Sequence, residues 1–275
     1  RVMRTSISIR VATISIGLIV ILWFIYPYAW MCLSAFKHNR EIYNPLQFFP
    51  SQFNFSYFAD VFSGKYINFK SAFFSSVWIA VIQATGAVLI SASTGYAIAR
   101  YKFPFKKLLF LLAITLIILP KQAMSIPTFE WINHLNIHGS YSSIILPGLA
   151  SGIGILFFLQ IFRKLPQDYI DISRVEGASE FRTFITVLPM VIPALLTYGV
   201  IHFILAWNDH LVPLLLLEDS KRTLPLALSS LNDSSQRVPQ AVVLAASIFT
   251  VLPVAILFGL LYRQFKSSMS EVLVH

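Results

Sequence analysis

The stretch RVEGASEFR, residues 174–182, decides how this chain is organised, because it places charges and a glycine between long apolar runs. The chain has 275 residues, of which 56% are hydrophobic and only 12% are charged. Soluble domains carry about 25% charged residues. The mean hydropathy is also high, at +0.71. This composition predicts an all-α integral membrane protein that crosses the bilayer several times.

The apolar runs are long enough to cross a membrane. A spanning helix needs about 20 apolar residues, because its backbone amides must be satisfied within the helix. We therefore predict one transmembrane domain over 1–275 with about six transmembrane helices, at about 11–36, 71–99, 108–128, 140–162, 189–217 and 239–262. The first run exceeds the apolar core of about 7–15 residues in a cleaved signal peptide, so we expect it to be retained.

The distribution of basic residues predicts the orientation. Most of the 21 Lys and Arg residues fall in four pieces outside the predicted helices, namely 1–10, 100–107, 163–188 and 263–275. By the positive-inside rule these pieces and both termini are cytoplasmic. The same rule accounts for most of the net charge of +9. We therefore expect the chain to be surrounded by membrane lipid, and we do not interpret its positive charge as a nucleic-acid-binding surface.

The 166–188 segment, which contains RVEGASEFR, has the pattern of two short helices. Pro166 favours a helix start, and the apolar residues of the first helix recur at helical spacing, as Leu165, Tyr169, Ile172 and Val175. Gly177 supplies the left-handed backbone that ends a helix. A second helix is predicted from Ser179, with Phe181, Phe184, Ile185 and Leu188 at helical spacing. From the residues alone, such a pair either lies in the headgroup layer or docks on a partner.

The stretch EGASEFRTFITVLPMVIPAL, residues 176–195, resembles the loop signature of permease subunits of ATP-binding-cassette importers. That signature reads glutamate, two alanines, three residues, glycine and later an apolar residue, leucine and proline. Here the triplet is Asp171, Ile172 and Ser173, so only its acidic position keeps its character. The stretches 119–129, 140–166 and 203–217 resemble the carbohydrate-uptake branch, in particular the six-span second permease of maltose-type importers. The tail, 267–275, lacks the glycine-rich ending common in that branch.

The resemblance implies a cytoplasmic helix–glycine–helix coupling loop that seats in a groove of a separate ATPase. The residues it assigns to ATPase coupling are Asp171, Ile172, Ser173, Arg174, Glu176, Gly177 and Arg182, with the charged ones as candidate ion pairs at the rim. It also implies a bacterial plasma (inner) membrane protein that forms half of a pathway for a carbohydrate. The implied partners are a second permease, an ATP-binding-cassette ATPase dimer and an extracytoplasmic solute-binding protein.

The chain has no phosphate-binding loop of its own. None of its 11 glycines fits the pattern Gly-x-x-x-x-Gly-Lys-Ser/Thr. We therefore expect no cofactor on this chain and no enzymatic activity, with ATP and Mg bound by the partner ATPase. The single cysteine, Cys32, and the pair His134 and His138 are not expected to form a metal site.

Polar residues at membrane depth are candidates for the substrate pathway. They are Gln83, Lys121, Gln122, Trp207, Asn208 and Asp209. An aromatic ring beside amide and carboxylate groups suits a sugar, but the same residues could hold helix ends or pack against the partner permease. The resemblance implies that the loop 218–238 contacts the solute-binding protein, although its polar residues also fit a solvated loop. The aromatic loop 37–70 is a second candidate for partner contact.

Three other functions remain open at this point. The first is import of a solute other than a sugar, which the sequence distinguishes poorly. The second is a membrane-embedded enzyme, which would need titratable groups converging at one depth, and His202, Asp209 and His210 are the candidates. The third is an assembly scaffold, which would not need polar residues inside the spans.

Overall fold

The computed structural model describes residues 7–44, 46–232 and 238–273. Two parts of the predictions therefore lie outside the described residues, namely the chain ends and positions 233–237 of the expected receptor loop. The α-helices are α1 (Ile7–Ser34), α2 (Asn39–Ile42), α3 (Ser56–Ser63), α4 (Phe69–Arg100), α5 (Lys106–Ile118), α6 (Ser125–His134), α7 (Ser142–Leu149), α8 (Gly152–Lys164), α9 (Asp168–Val175), α10 (Glu180–Val187), α11 (Ile192–Trp207), α12 (Leu211–Leu216), α13 (Leu224–Leu231) and α14 (Gln240–Leu273).

The all-α membrane fold is confirmed. Within the described residues there is no β-strand, and one isolated parallel bridge joins Gly139 to Leu217. Four helical stretches in these residues are long and apolar enough to cross a membrane, namely Val11–Ser34, Phe69–Arg100, Glu180–Trp207 and Gln240–Tyr262. The helices α7 and α8 form a fifth if they count as one span, bent by 40°.

The predicted run 108–128 is not one continuous helix. Helix α5 ends at Ile118 after 13 residues, Leu119 is extended with ψ 118°, and α6 begins at Ser125. The cause is Pro120, because a proline disfavours helical backbone at the residue before it. At 1.5 Å per residue α5 covers about 20 Å, which is less than the hydrocarbon thickness of about 30 Å.

The predicted run 189–217 is also divided. By length and composition, the helical stretch that could span a membrane begins earlier, at Glu180 inside the 166–188 segment, and passes through α10, a 3₁₀ turn (Leu188–Val191) that contains Pro189, and α11. It ends at Trp207, and Asn208 caps α11. Helix α12 is separate and has only six residues. Polar residues whose side chains compete for backbone hydrogen bonds therefore mark a helix end here.

The contacts of the chain divide it into two compact units, one with residues 1–69 and 228–251 and the other with 70–227 and 252–275. The prediction of a single domain stays a prediction. In the first unit, aromatic rings of Phe58, Phe62 and Phe69 surround Phe249 at centroid distances of 6.2, 4.9 and 5.6 Å. Rings at these separations and steep angles pack favourably edge to face.

The second unit has a hydrophobic core that includes residues from the C-terminal half of α8. Its buried residues are Ala92, Tyr96, Phe158, Phe162, Ile170, Val187, Val191 and Tyr198, which come from α4, α8, α9, α10, the 3₁₀ turn and α11. Glycine brings the helices close. A β-carbon at Gly152 would lie 2.1 Å from the carbonyl oxygen of Ala113 on α5. Helix α8 therefore fits against α5 only with a glycine at this position, as small residues allow in membrane helices.

Candidate functional site

The 166–188 segment folds as two helices joined by a left-handed glycine, so the predicted helix–glycine–helix fold is confirmed. Helix α9 ends in a Schellman motif: the amide of Ala178 donates to the carbonyl of Ser173, and the amide of Gly177 donates to that of Arg174, both at 3.0 Å. Gly177 has φ +80°. At the start of α10, the Ser179 hydroxyl accepts a hydrogen bond from the Arg182 amide at 3.3 Å.

Arg100, the last residue of α4, holds the start of this segment. Its guanidinium donates to the carbonyls of Phe162 and Leu165, and to Oε1 of Gln167 at 2.8 Å. The side-chain Nε2 of Gln167 then donates to Oδ1 of Asp171 at 3.1 Å. One planar cation therefore ties the end of α8, the linker and α9 to α4, through charge-assisted bonds that are stronger than neutral ones.

Glu180 holds the turn between the two helices. Its Oε2 accepts from Arg174 at 3.2 Å and from the hydroxyl of Tyr101 at 2.5 Å. The Arg174 guanidinium also lies 6.0 Å from the Tyr101 ring centroid. Burial, followed by the hydrogen bond to Glu180, raises the pKa of Tyr101 above its usual range. The same carboxylate raises the pKa of Arg174, so both donors keep their protons.

The predicted rim charges do not all form pairs. Arg174 pairs with Glu180, which the sequence did not single out, and weakly with Asp171 at 3.9 Å. Glu176 and Arg182 are exposed, and no ion pair forms at either within the part of the chain that the structure describes. The signal for Glu180 was available, since an acidic residue directly after Ser179 favours a helix start.

The segment has an inner and an outer face. Ile170, Ser173 and Val187 are buried in the second unit. On the outer face Val175 is 89% exposed, Phe181 72% and Ile172 57%. Each predicted apolar set is divided between the faces, because Leu165, Phe184 and Leu188 pack on the core whereas Tyr169 and Ile185 are exposed. Ser173 therefore serves as a small buried residue, and Ile172 belongs to the exposed face.

Two of the predicted pathway residues are buried inside the second unit. The Gln83 amide donates to the carbonyl of Ile144 at 2.9 Å and lies directly against Gly148. Trp207 is buried, stacks on Phe203 at 5.7 Å and meets Phe73 edge to face at 5.9 Å. Neither side chain is available to a passing solute in this conformation.

The other four pathway candidates lie at the helix breaks. Nζ of Lys121 forms an ion pair with Oδ2 of Asp209 at 3.0 Å, and Oδ1 of Asp209 accepts from the amide of Val212 at 3.3 Å. This pair joins the break after α5 to the break after α11. Gln122 and Asn208 are exposed. The six candidates therefore do not converge on one site.

His202, a candidate for the enzyme alternative, is buried and used inside the fold. Its Nε2 lies 3.1 Å from the carbonyl oxygen of Gly148, and its Nδ1 lies 3.3 Å from the hydroxyl of Tyr198. Among the described side chains, no hydrogen bond joins His202 to Asp209 or His210. The groups needed for an acid–base site are not assembled.

Aromatic and hydroxyl groups meet instead on α4, where the sequence analysis did not place them. A cavity of about 610 Å³ is lined by Ser71, Phe74, Ser75, Val77, Trp78, Val81 and Tyr141. The rings of Phe74 and Trp78 are exposed, and the hydroxyls of Ser75 and Tyr141 lie 2.7 Å apart. The spacing 71, 74, 75 and 78 on a single helix face was the available signal.

Comparisons with known proteins place these features in a family. The family model for the binding-protein-dependent transport system inner membrane component matches residues 87–271, which include the whole 166–188 segment. The chain is 28% identical over 266 residues to the arabinooligosaccharides transport system permease protein AraQ of Bacillus subtilis, covering 95% of this chain and 94% of that protein. It is 27% identical over 270 residues to the diacetylchitobiose uptake system permease protein NgcG of Streptomyces coelicolor, covering 95% and 88%.

A third relative and a solved structure agree with this assignment. The sn-glycerol-3-phosphate transport system permease protein UgpE of Yersinia pestis is 32% identical over 194 residues, covering 70% of this chain and 69% of that protein. A crystal structure of a bacterial ABC transporter involved in the import of alginate superposes with a TM-score of 0.83 at 18% identity, covering 94% of this chain and 98% of that one, which shows the shared fold. The chain belongs to the family of inner membrane components of binding-protein-dependent transport systems, and is a permease subunit of an ABC importer.

Proposed function

We propose that this permease subunit couples ATP hydrolysis by a partner ATPase to the import of a carbohydrate, through its 166–188 segment. The observation that carries the proposal is the exposed apolar face of that segment. Val175, Phe181 and Ile172 lie outward on helices that are held at the end of α4 by Arg100 and Tyr101, and Arg100 also bonds to α8. An amphipathic helix that presents apolar residues outward is a recurrent way of docking into a groove.

The energetics favour docking of this face. Full burial of a side chain such as Val or Phe contributes about 1.5–3 kcal/mol relative to exposure. Three such residues can therefore hold a partner without help from Glu176 or Arg182, which then set the register. The bonds from Arg100 and Glu180 make the segment rigid, so that a movement of the ATPase is passed on to α4 and α8 and is not absorbed locally.

The proposed assembly contains four kinds of subunit. This chain pairs with a second permease, each binds one subunit of an ATP-binding-cassette ATPase dimer, and a solute-binding protein delivers the substrate from outside. ATP and Mg are bound by the ATPase, and this chain holds no cofactor. The family and its bacterial relatives favour a multi-pass protein of the bacterial plasma membrane. The basic residues favour an orientation with the 166–188 segment and both termini in the cytoplasm.

A carbohydrate is the proposed substrate because two relatives are named for oligosaccharides, arabinooligosaccharides and diacetylchitobiose. The cavity on α4 supports this choice, since Phe74 and Trp78 offer flat apolar surfaces beside the hydroxyl pair of Ser75 and Tyr141. Pyranose rings combine apolar faces with hydroxyl edges, so such a surface matches them. A second candidate substrate is a phosphorylated polyol, which is favoured by the relative named for sn-glycerol-3-phosphate.

The docking proposal is tested by co-purification. Val175→Glu places a charge in the proposed interface and should reduce recovery of the ATPase with the tagged permease about tenfold or more, while the amount of permease in the membrane stays unchanged. Leu46→Glu is the matched control, because Leu46 is 94% exposed and lies in the first unit. Equal ATPase recovery for both variants would contradict the proposal.

The substrate proposal is tested by uptake into cells that express the complete importer. Labelled arabinooligosaccharide and labelled sn-glycerol-3-phosphate are supplied separately. Trp78→Ala should raise the KM for the oligosaccharide several-fold, whereas Trp78→Phe, which keeps a flat ring, should change it less. Uptake of the phosphorylated polyol alone would favour the second candidate.

A further inference from the structure

A second cavity lies where α4 leads into α5. It has a volume of about 720 Å³ and its lining includes four cationic side chains, Lys102, Lys106, Lys107 and Arg163, together with Phe103 and Phe110. The family assignment and the proposed function give no role to this cavity. Its lining combines two chemistries, clustered positive charge and apolar surface.

The positive charge is largely uncompensated. Nζ of Lys106 donates to the carbonyl of Tyr101 at 3.0 Å. Among the residues that the structure describes, none of the ion pairs within 4.0 Å involves Lys102, Lys107 or Arg163. Like charges that share one cavity repel each other, and the repulsion grows as water is displaced. An anionic occupant would remove that cost.

The cavity also continues into an apolar surface. Leu111 lines it, and the neighbouring α5 residues Leu108, Leu112 and Leu116 are exposed. These leucines recur at helical spacing, so they form a stripe that leads from the basic cluster along α5. Basic residues at the end of an apolar helix are typical of the depth at which a bilayer changes from hydrocarbon to headgroups. The surface therefore fits an amphiphile with an anionic head.

We propose that this cavity binds an anionic phospholipid. Its phosphate lies among Lys102, Lys107 and Arg163, and an acyl chain lies along the leucine stripe of α5. Basic pockets between membrane helices are known to recognise anionic headgroups, and each nearby cation contributes about 1 kcal/mol. A small soluble anion would use the charges but would leave the apolar lining and the leucine stripe exposed to water.

Photocrosslinking of the complete importer tests the proposal. The purified complex is reconstituted in phosphatidylcholine vesicles that contain a trace of photoactivatable phosphatidylglycerol or, separately, photoactivatable phosphatidylcholine. Crosslinked peptides of this chain are then identified. Phosphatidylglycerol should label residues 98–116 in preference to phosphatidylcholine. Lys102→Gln with Lys107→Gln should lower that preference about fivefold for each cation removed, the equivalent of about 1 kcal/mol each.

Matched variants separate charge at this cavity from charge in general. Lys102→Arg with Lys107→Arg keeps the cations and should keep the preference. Lys65→Gln with Lys70→Gln removes two cations elsewhere and should also keep it. Equal labelling by the two lipids, or an unchanged preference in the Lys102→Gln, Lys107→Gln variant, would overturn the proposal.

Two further arms distinguish other occupants. If excess inorganic phosphate abolished the preference for phosphatidylglycerol, the cavity would be a soluble-anion site, and the lipid proposal would fail. If the Lys102→Gln, Lys107→Gln variant lost a partner subunit in gel filtration, the surface would be a protein contact, which also contradicts a lipid site. Intact complexes and insensitivity to phosphate are the expected results.

Discussion

The 166–188 segment and the helix breaks at 119–124 and 208–210 both mix polar and apolar residues, but they use them in opposite ways. In the segment, Arg174 and Glu180 bond internally and the apolar Val175 is exposed. At the breaks, Lys121 and Asp209 bond to each other while the apolar Trp207 is buried. Apolar exposure in the segment therefore indicates a partner, whereas polarity at the helix breaks indicates internal support.

The largest expected effect comes from the glycine turn of the segment. Gly177→Val should reduce uptake at least tenfold, because a β-branched residue at φ +80° strains the backbone by about 1–3 kcal/mol and deforms the proposed docking element. Gly64→Val is the matched control, since Gly64 has φ +77° and a β-carbon there would meet the carbonyl oxygen of Ile67 at an ordinary contact distance of 3.9 Å. Uptake and membrane abundance are measured for both. Similar losses in both variants would mean that backbone strain alone abolishes transport.

The next effect tests whether the internal ion pair supports the outer face. Arg174→Ala and Glu180→Ala should each lower uptake a few-fold, because each loosens the turn that orients Val175 and Phe181. The loss in the double variant should be smaller than the sum of the two single losses, since both single variants remove the bond between Arg174 and Glu180. Additive losses in this double-mutant cycle would show that the two residues act independently. They would contradict the claim that the bond between Arg174 and Glu180 supports the exposed apolar face of the segment.

A smaller and different effect is expected for buried Gln83. Gln83→Met removes its hydrogen bond to the carbonyl of Ile144, and the unsatisfied buried group should cost about 1–3 kcal/mol of stability. The thermal unfolding midpoint of the purified complex should therefore fall while the KM for uptake stays within about twofold of the wild type. A raised KM with unchanged stability would indicate that Gln83 contacts the substrate, as the sequence analysis predicted.

The smallest effect is expected at the pair between Lys121 and Asp209. The side chains are 67% and 14% exposed, and pairs with one exposed partner contribute about 0–1 kcal/mol. Lys121→Gln should therefore change neither stability nor the KM beyond about twofold. A KM raised tenfold, with stability unchanged, would show that the helix breaks take part in substrate recognition and would contradict the view that they only support the fold.

The sequence predicted the parts of the fold that depend on neighbouring residues. Pro166, Gly177 and the apolar spacing between them are local signals, and they predicted α9, the turn and α10. The predicted run 108–128 was wrong about the break after Leu119, although Pro120 was a local signal for it. In contrast, the anchors of the segment are distant in sequence: Arg100 reaches Gln167 across 67 positions, and Tyr101 reaches Glu180 across 79. No local pattern indicates such pairs.

The same distinction explains the pathway residues. Side-chain chemistry made Trp207 a reasonable sugar platform, but its burial depends on Phe73, which belongs to a distant helix. Whether a ring is exposed is decided by tertiary packing, as the exposed Trp78 shows on α4. Residue type therefore predicted the chemistry that a sugar site needs, and only the structure located surfaces where that chemistry is accessible.

Site-directed crosslinking tests the central claim most directly. Cys32 is the only cysteine of this chain, so Cys32→Ser leaves the permease without a thiol until one is introduced. Val175→Cys in that background, treated with a short thiol–amine crosslinker in native membranes, should join the permease to the ATPase subunit, whereas Leu46→Cys should not. A Val175→Cys variant that still transports but forms no such product would contradict the claim that the 166–188 segment docks on the ATPase.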